Sequence, residues 1–355
     1  MRYSKGARRA LSDHPRIVAV LPRPSHIPSQ LLARRKPLRY EDTELADYRR
    51  IDGRRTALVY VVDKAAQEVV MVVKVVLFKD MTPEQRSDYG FLFDYIRADE
   101  RYRIPVSSNA AMVEGTMKCA GYRAAYEAGY DYGQYTMYNL EKLKKDPDLR
   151  AKYLRHAAKA KDVHRLMSEG LYSLSPILLE ERALEAQRKG IPLFGDPDNR
   201  LSDQSPAINE TTPFTPHIIY TFNGFVNVPH CDNDSNLWAT GVWGPCSTKG
   251  GLMSMAEGFH QSGHAFYNAS YGVLVDIATI DGVVEMAWRG RQDIHGTTTG
   301  VVGAGCQRFA FTAQLNKRLD QRVTAALTKG YAIVNDDMER LGMVDKRSRR
   351  EIQLE

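Results

Sequence analysis

The sequence predicts an α+β fold, with a helix-rich part followed by an all-β core. Three observations predict it. Two β-branched runs, "TALVYVV" (Thr56 to Val62) and "EVVMVVKVVLF" (Glu68 to Phe78), flank a polar turn and read as a buried hairpin. Helix start and stop signals then recur up to Gly190. After about Gly195 the helical periodicity stops, and short apolar segments alternate with Gly, Asn and Pro. That last pattern is the mark of a barrel or sandwich.

The elements follow in order. Residues 1–55 are basic, Pro-containing and without clear periodicity, and read as an arm that packs over the core or stays mobile. Residues 56–195 form a helix-rich part that carries the hairpin and packs on the core. "TPEQ" (Thr82 to Gln85) starts a helix running to about Asp99: Thr caps, Pro takes the first turn and Gln completes a capping box. The Tyr- and Gly-rich stretch from Ala120 to Tyr138 is either packed core or a wall on the substrate side. "DPDLRAKYLRHAAKAKDVHRLMSEGL" reads as one helix, with His156 and His164 as surface or packing residues. "PILLEERALEAQRKG" reads as another, stopped by Gly190. Residues 196–320 hold about seven short strands: "HIIYTFNGF", "LWATGVWG", "AFYNAS", "GVLVDIA", "GVVEMAWRG", "TTTGVV" and "CQRFAFTAQL". Residues 321–355 read as a C-terminal helix and a basic tail, where an N-capped turn, "NDDMERLG", accounts for Asp336 and Asp337.

Composition narrows the class. Hydrophobic residues at 43% and charged residues at 26% fit a globular protein. No apolar run approaches the roughly 20 residues that span a bilayer. The N-terminus lacks the apolar core of a secretory signal; it is basic and contains Ser, which leaves a mitochondrial transit role as the second reading. Cys119, Cys231, Cys246 and Cys306 are scattered without C-x-x-C pairing, which argues against a zinc module and a disulfide framework and fits a reducing cytosol or nucleus. A net charge of +6 permits an anionic partner. The basic clusters "ARRKPLR", "KLKK" and "KRSRR" are either solvated surface or sites of nucleic-acid contact and nuclear import.

The chemistry begins at "NVPHCDNDSNLW". Residues two apart on a strand share a face, so His230 and Asp232 can hold one metal ion while Cys231 faces away. A lone His-x-Asp carries little weight. A second histidine, His295, closes the strand "DGVVEMAWRG" at a Gly turn, and thirteen residues on Arg308 sits among apolar neighbours in "GCQRFAFTAQLNK". A buried Arg is costly unless it faces an anion. Two histidines and a carboxylate form the facial triad of non-heme Fe(II), which leaves three coordination positions open. Those positions suit a bidentate 2-oxo acid plus O2, and the far carboxylate of 2-oxoglutarate needs the fixed fork of Arg.

From Tyr220 to Lys317 the sequence resembles the TET/JBP family of Fe(II)- and 2-oxoglutarate-dependent nucleic-acid dioxygenases, in particular its fungal branch. The resembling motifs are "YTFNGFVNVPHCDNDSN", "GVW", "YGVLVD", "DGVVEMAWRGRQDIHGTTT" and "RFAFTAQLNK", with "MKCAGYRAAYEAGYDYGQY" upstream. The resemblance implies a double-stranded β-helix (jelly-roll) core with flanking N- and C-terminal helices. It implies oxidation of 5-methylcytosine in DNA to hydroxymethyl and further products, or action on related bases such as N6-methyladenine, with Fe(II), 2-oxoglutarate and O2. It carries over His230, Asp232 and His295 as catalytic iron ligands and Arg308 as the 2-oxoglutarate clamp.

Other residues follow from the same resemblance. Relatives have a hydroxyl where this chain has Ala310, so Thr312 or Thr240 becomes the replacement contact. His264 and Asn223 are expected at the cosubstrate, or else as a loop His and a satisfied strand polar group. Gln314 and Asn316 are expected at the flipped base, with the stacking aromatic drawn from Trp238, Phe225 or Tyr267. The implied partner is duplex DNA with a flipped base, bound by a monomer in the nucleus. Two rivals change the class. A zinc nucleobase deaminase needs H-x-E with P-C-x-x-C, and neither occurs. A non-catalytic DNA-binding β domain has no reason to bury the triad and Arg308. A third alternative keeps the enzyme and moves its substrate to a protein or small molecule.

Overall fold

The computed structural model describes residues 15–22, 36–106, 111–135, 137–196, 207–343 and 349–351. About half of the predicted N-terminal arm (residues 1–14 and 23–35) and most of the "KRSRR" cluster lie outside the described residues. The strands are β1 (Arg16–Leu21), β2 (Arg49–Ile51), β3 (Ala57–Asp63), β4 (Val69–Leu77), β5 (Met112–Ala124), β6 (Tyr132–Gln134), β7 (His217–His230), β8 (Ala239–Ser247), β9 (Gln261–Gly263), β10 (Phe266–Asn268), β11 (Val273–Val275), β12 (Gly282–Trp288), β13 (His295–Thr297), β14 (Gly300–Val302), β15 (Cys306–Ala313), β16 (Tyr331–Asn335) and β17 (Arg349–Glu351). The helices are α1 (Pro83–Asp99), α2 (Leu140–Lys145), α3 (Pro147–Ala157), α4 (Ala160–Leu174), α5 (Pro176–Arg188), α6 (Lys317–Lys329) and α7 (Asp337–Arg340).

One curled sheet runs in the order β1-β3-β4-β12-β8-β15-β7-β13-β10-β11-β2, and β9 pairs with β14 beside it. The curl makes the double-stranded β-helix. Strand β7 is what turns the corner. Its first half pairs with β15 (Ile218 to Thr221) and its second half with β13 (Asn227 and His230). Between the two, Asn223 and Gly224 take φ of 57° and 67°. A pair of left-handed residues bulges and bends a strand.

The hairpin β3–β4 forms as predicted, because both of its faces are buried. Leu58 and Val72 pack with the helices, whereas Val59, Val61, Val73 and Val75 point into the roll. Helix α1 starts with the full capping box at Thr82 and Gln85. Helices α4 and α5 lay Val163, Met167, Leu171 and Leu179 on the outer face of the sheet against Ile218, Phe309 and Phe311.

Three expectations are corrected. Part of the supposed arm is sheet: β1 adds parallel to β3 and β2 parallel to β11, at the two ends of the order. Ile17, Ala19 and Leu21 alternate half-buried with exposed neighbours, a period of two. The long predicted helix is two, broken at Ala158–Lys159, because α3 must turn Tyr153 and His156 toward Asp99 while α4 turns its apolar face onto the sheet. His156 and His164 are both buried. The C-terminal part is more than helix and tail, since β16 pairs parallel with β6.

Candidate active site

His230 ends β7, and the antiparallel register sets His295 directly opposite it on β13. The two ring centroids are 4.5 Å apart. Asp232 follows on the next turn, where its backbone N–H donates to Gly290 O at 2.8 Å. A Cβ at position 290 would stand 2.4 Å from Asp232 Oδ2, so this close approach requires glycine. His230 Nδ1 meets Val228 O at 2.8 Å and His295 Nδ1 meets Asp293 O at 2.9 Å. A carbonyl accepts only, so each Nδ1 carries the proton and each Nε2 presents a lone pair. Both Nε2 atoms lie 3.5 Å from Asp232, one from each carboxylate oxygen. The three ligand atoms fall within 4.8 Å of one another.

The electrostatics agree with this arrangement. Burial between Phe266 and Trp288 holds His295 neutral, with its pKa pushed down to about 4. Burial would lower His230 as well, but the attraction of the Asp232 carboxylate and the Val228 carbonyl together outweigh that and raise it. Asp232 is lowered, because the two imidazoles outweigh the opposing effect of burial. Two imidazole lone pairs and one ionised carboxylate are a fitting donor set for Fe(II).

Arg308 lies on the inward face of β15 and is 7% exposed. Its Nε donates to Gln261 Oε1 at 2.8 Å and its Nη2 to Ile277 O at 3.2 Å, and the guanidinium rests on the Phe259 ring at 5.0 Å. Its Nη1 has no hydrogen-bond partner among the described residues. Burial pushes its pKa down to about 9. A buried guanidinium with no carboxylate bonded to it is costly until an anion arrives. The distal carboxylate of 2-oxoglutarate meets that need, so the structure fits the cosubstrate as well as the metal. Gln261 and Phe259 were missed in the sequence, since nothing local marks them as neighbours of Arg308.

The remaining expected site residues divide. His264 is buried with φ of 50°, and its pKa is lowered by burial and then by the charge of Arg308. It therefore lies in the field of that guanidinium. Asn223 is exposed at the β7 corner in a left-handed conformation, where its amide donates to Thr116 at 3.3 Å. Thr312 shares the Arg308 face but stands four residues along, about 13 Å, too far to grip the same carboxylate. Thr240 pairs with Ala313 on the opposite face and is bonded by Arg182 at 3.2 Å. Asn316 accepts from Arg318 N at 2.9 Å as the N-cap of α6, which occupies its side chain. Gln314 is half-buried just past β15. Trp238 is half-buried against the Phe309–Phe311 cluster on the helix side. Phe225 is half-buried. Tyr267 is fully buried in a separate core with Leu38 and Leu45. Asp234 is buried, and burial with the nearby Asp232 charge pushes its carboxyl up to about 8.

Comparison with known proteins gives the family. A family model described as the Tet-like 2OG-Fe(II) oxygenase superfamily matches residues 82–300. The solved structure of NgTET1 in complex with 5mC DNA is similar over 78% of this chain and 87% of that one, at 10% identity and a TM-score of 0.40. No curated protein matches the chain. The family match spans more than half of the chain and covers all three converging candidate ligands, so the chain belongs to the Tet-like 2OG-Fe(II) oxygenase superfamily and is a 2-oxoglutarate-dependent dioxygenase that uses Fe(II), 2-oxoglutarate and O2.

Proposed function

We propose that this dioxygenase oxidises the methyl group of a methylated base in DNA: 5-methylcytosine to 5-hydroxymethylcytosine and further products, with N6-methyladenine demethylation as the related activity. His230, Asp232 and His295 would hold the iron, and Arg308 would hold the distal carboxylate of 2-oxoglutarate. The observation that carries the reading is the pairing of a converged His–Asp–His set with a buried guanidinium that has an open N–H. The bound iron with 2-oxoglutarate and O2 supplies oxidation of a methyl C–H to C–OH, releasing succinate and CO2.

The chain's own residues do the rest. Val228 O and Asp293 O keep the Nδ1 protons in place, so both Nε2 lone pairs stay directed at the site. Phe266 and Trp288 exclude water from the His295 side. Gln261 and Ile277 fix the plane of Arg308. A methyl group inside a duplex cannot reach such a buried site, so the base must be flipped at a cost of a few kcal/mol.

Family membership and charge support DNA as the substrate. Residues 140–165 alone carry nine Lys and Arg against four Asp and Glu. Lys145, Lys152, Arg155, Lys159 and Lys161 there are exposed, which suits phosphate contact and salt-dependent binding. We also propose action as a monomer in the nucleus, from the same basicity and the scattered thiols.

The test supplies Fe(II), 2-oxoglutarate and duplex DNA carrying either base, and reads bases and succinate by mass spectrometry. Oxidised base in step with succinate is expected. Succinate with every base intact would move the substrate to a protein or a small molecule.

A further inference from the structure

We infer that Arg289 is a positioning residue for the metal-binding triad, acting through the loop between β12 and β13. The inference rests on the assignment of His230, Asp232 and His295 as metal ligands. Two backbone carbonyls of this loop aim the triad. Gly290 O accepts from Asp232 N at 2.8 Å, and Asp293 O accepts from His295 Nδ1 at 2.9 Å. Whatever sets the shape of the loop sets the direction of two ligands at once.

Arg289 sets that shape from both of its ends. Its carbonyl accepts from Gln292 N at 3.0 Å and Asp293 N at 2.8 Å, which closes the turn. Its guanidinium folds over the same turn and forks onto the Asp293 carboxylate, Nε to Oδ2 at 2.9 Å and Nη2 to Oδ1 at 3.1 Å. Paired N–H···O bonds of this kind fix orientation as well as distance. Nη2 also donates to Tyr271 Oη at 2.6 Å, and Tyr271 Oη donates to Asp63 Oδ2 at 2.8 Å. Asp63 in turn accepts from Ala65 N at 2.7 Å and Ala66 N at 3.0 Å, in the turn of the β3–β4 hairpin. The turn that carries the ligand carbonyls is thereby tied to the buried hairpin β3–β4.

Arg289, Asp293, Tyr271 and Asp63 are all buried. A buried ion pair is a weak source of stability, since apolar residues of the same volume often do as well. What apolar residues cannot supply is a fixed direction for Gly290 O and Asp293 O. Outer partners of metal-bound imidazoles are worth roughly 10- to 100-fold in metal affinity. Here the imidazole's partner is a backbone carbonyl, so the side chain that controls it is one bond pattern further out, at Arg289.

The experiment titrates the full chain with Co(II), following the ligand-field absorbance, alongside circular dichroism and thermal melting. Arg289→Lys keeps the charge and loses the fork. The double variant Arg289→Leu/Asp293→Asn removes the pair without leaving a buried charge alone, so it reports even where Arg289→Lys does not fold. Both are expected to melt cooperatively and to raise the Co(II) Kd about 10- to 100-fold with an altered absorbance spectrum; Tyr271→Phe should raise it less. Folded Arg289 variants with wild-type Kd and spectrum would overturn the inference. His295→Ala separates the two levels. If it binds Co(II) like wild type, the ligand assignment fails and takes the inference with it. If it loses Co(II) while the Arg289 variants keep it, only the positioning role fails.

Discussion

Two buried charge clusters sit along β7, and they are built to opposite ends. Near its start, Tyr220 donates to Asp99 at 2.8 Å, and Asp99 also takes His156 at 3.0 Å and Arg103 at 3.3 Å. Arg103 continues to Tyr135 O and Tyr153. Burial would raise the Asp99 carboxyl, but Arg103 and the hydrogen bonds outweigh it and hold it low. This cluster ties α1, α3, α7 and β7 together by pairing cations with carboxylates. At the other end of the strand, Nε2 of His230 and of His295 each face Asp232 at 3.5 Å, and on the neighbouring β15 Nη1 of Arg308 has no hydrogen-bond partner among the described residues. Both clusters are buried and charged, so burial and charge alone do not mark a site. The mark is convergence: three ligand atoms of two histidines and a carboxylate within 4.8 Å of one another, with no cation paired to them among the described residues.

Substitution can break that distinction. The largest effect is expected for Asp232→Ala, which removes a ligand outright. Turnover of 2-oxoglutarate should fall beyond the roughly 100-fold seen for loss of an outer partner, with the thermal melt still cooperative. Succinate release at the wild-type rate would place the metal elsewhere. The two arginines then give opposite signs. Arg103→Met strands Asp99 and should cost about 3–5 kcal/mol of stability, with turnover per folded molecule unchanged. Arg308→Met strands no carboxylate and should keep or raise the melting temperature. It should also raise the KM for 2-oxoglutarate by about 2–3 kcal/mol, roughly 30- to 150-fold. Arg308→Lys should not restore it, since a point charge lacks the fork. Equal stability losses in the two Met variants would erase the contrast.

The pH dependence of stability belongs to the closed type of burial. His164 Nδ1 donates to Phe194 O at 2.6 Å, while Nε2 accepts from Phe214 N at 2.9 Å and Thr215 N at 3.2 Å. A protonated Nε2 could accept neither bond. Burial first, and then the Arg182 charge, push the pKa down to about 4; His217 is held at about 4 by the same causes. The folded value lies below the unfolded one, near 6.5. The unfolded chain therefore protonates first, and stability falls as the pH drops from about 6.5 to 4, then levels. Each histidine should contribute a loss of about 2 kcal/mol between pH 7 and pH 5. Denaturant midpoints at the two pH values measure this, and His164→Gln, which keeps an acceptor that does not titrate, should flatten the slope. An unchanged slope would mean that the imidazole is not the group being protonated.

How far the sequence could be read depends on the distance over which each feature is determined. The hairpin β3–β4 and the cap at Thr82 are local and doubly buried or self-contained, so they were legible. The convergence of His230, Asp232 and His295 was legible because a His-x-Asp at the end of one strand and a His at the start of another are local signals. Gln261 was not, because it meets Arg308 across 47 residues of chain. Arg289 was not, because its partners Tyr271 and Asp63 become neighbours only after the sheet curls. Strands β1 and β2 were hidden among arginines and prolines, and their parallel pairing is set by the ends of the sheet and not by a turn. Asn223 and Asn316 each have a local role as well, which the sequence does not separate from a role at a ligand. Asn is favoured at left-handed corners and helix N-caps as well as at ligands; Asn223 takes the corner and Asn316 the cap.

Asn316 gives the smallest expected effect and the sharpest way to separate those two uses. As the N-cap of α6 it accepts from Arg318 N through its side-chain oxygen. Asp caps about as well as Asn, whereas Ala costs about 1 kcal/mol. Asn316→Asp should therefore leave the melting temperature within error, and Asn316→Ala should lower it by that increment. A base-reading amide behaves differently: Asp removes its N–H donor and adds a charge, so the ratio of kcat/KM between methylated cytosine and methylated adenine duplexes would shift. The cap role predicts that this ratio stays at the wild-type value in both variants. A change in the ratio with no change in melting temperature would return Asn316 to the substrate side of the site.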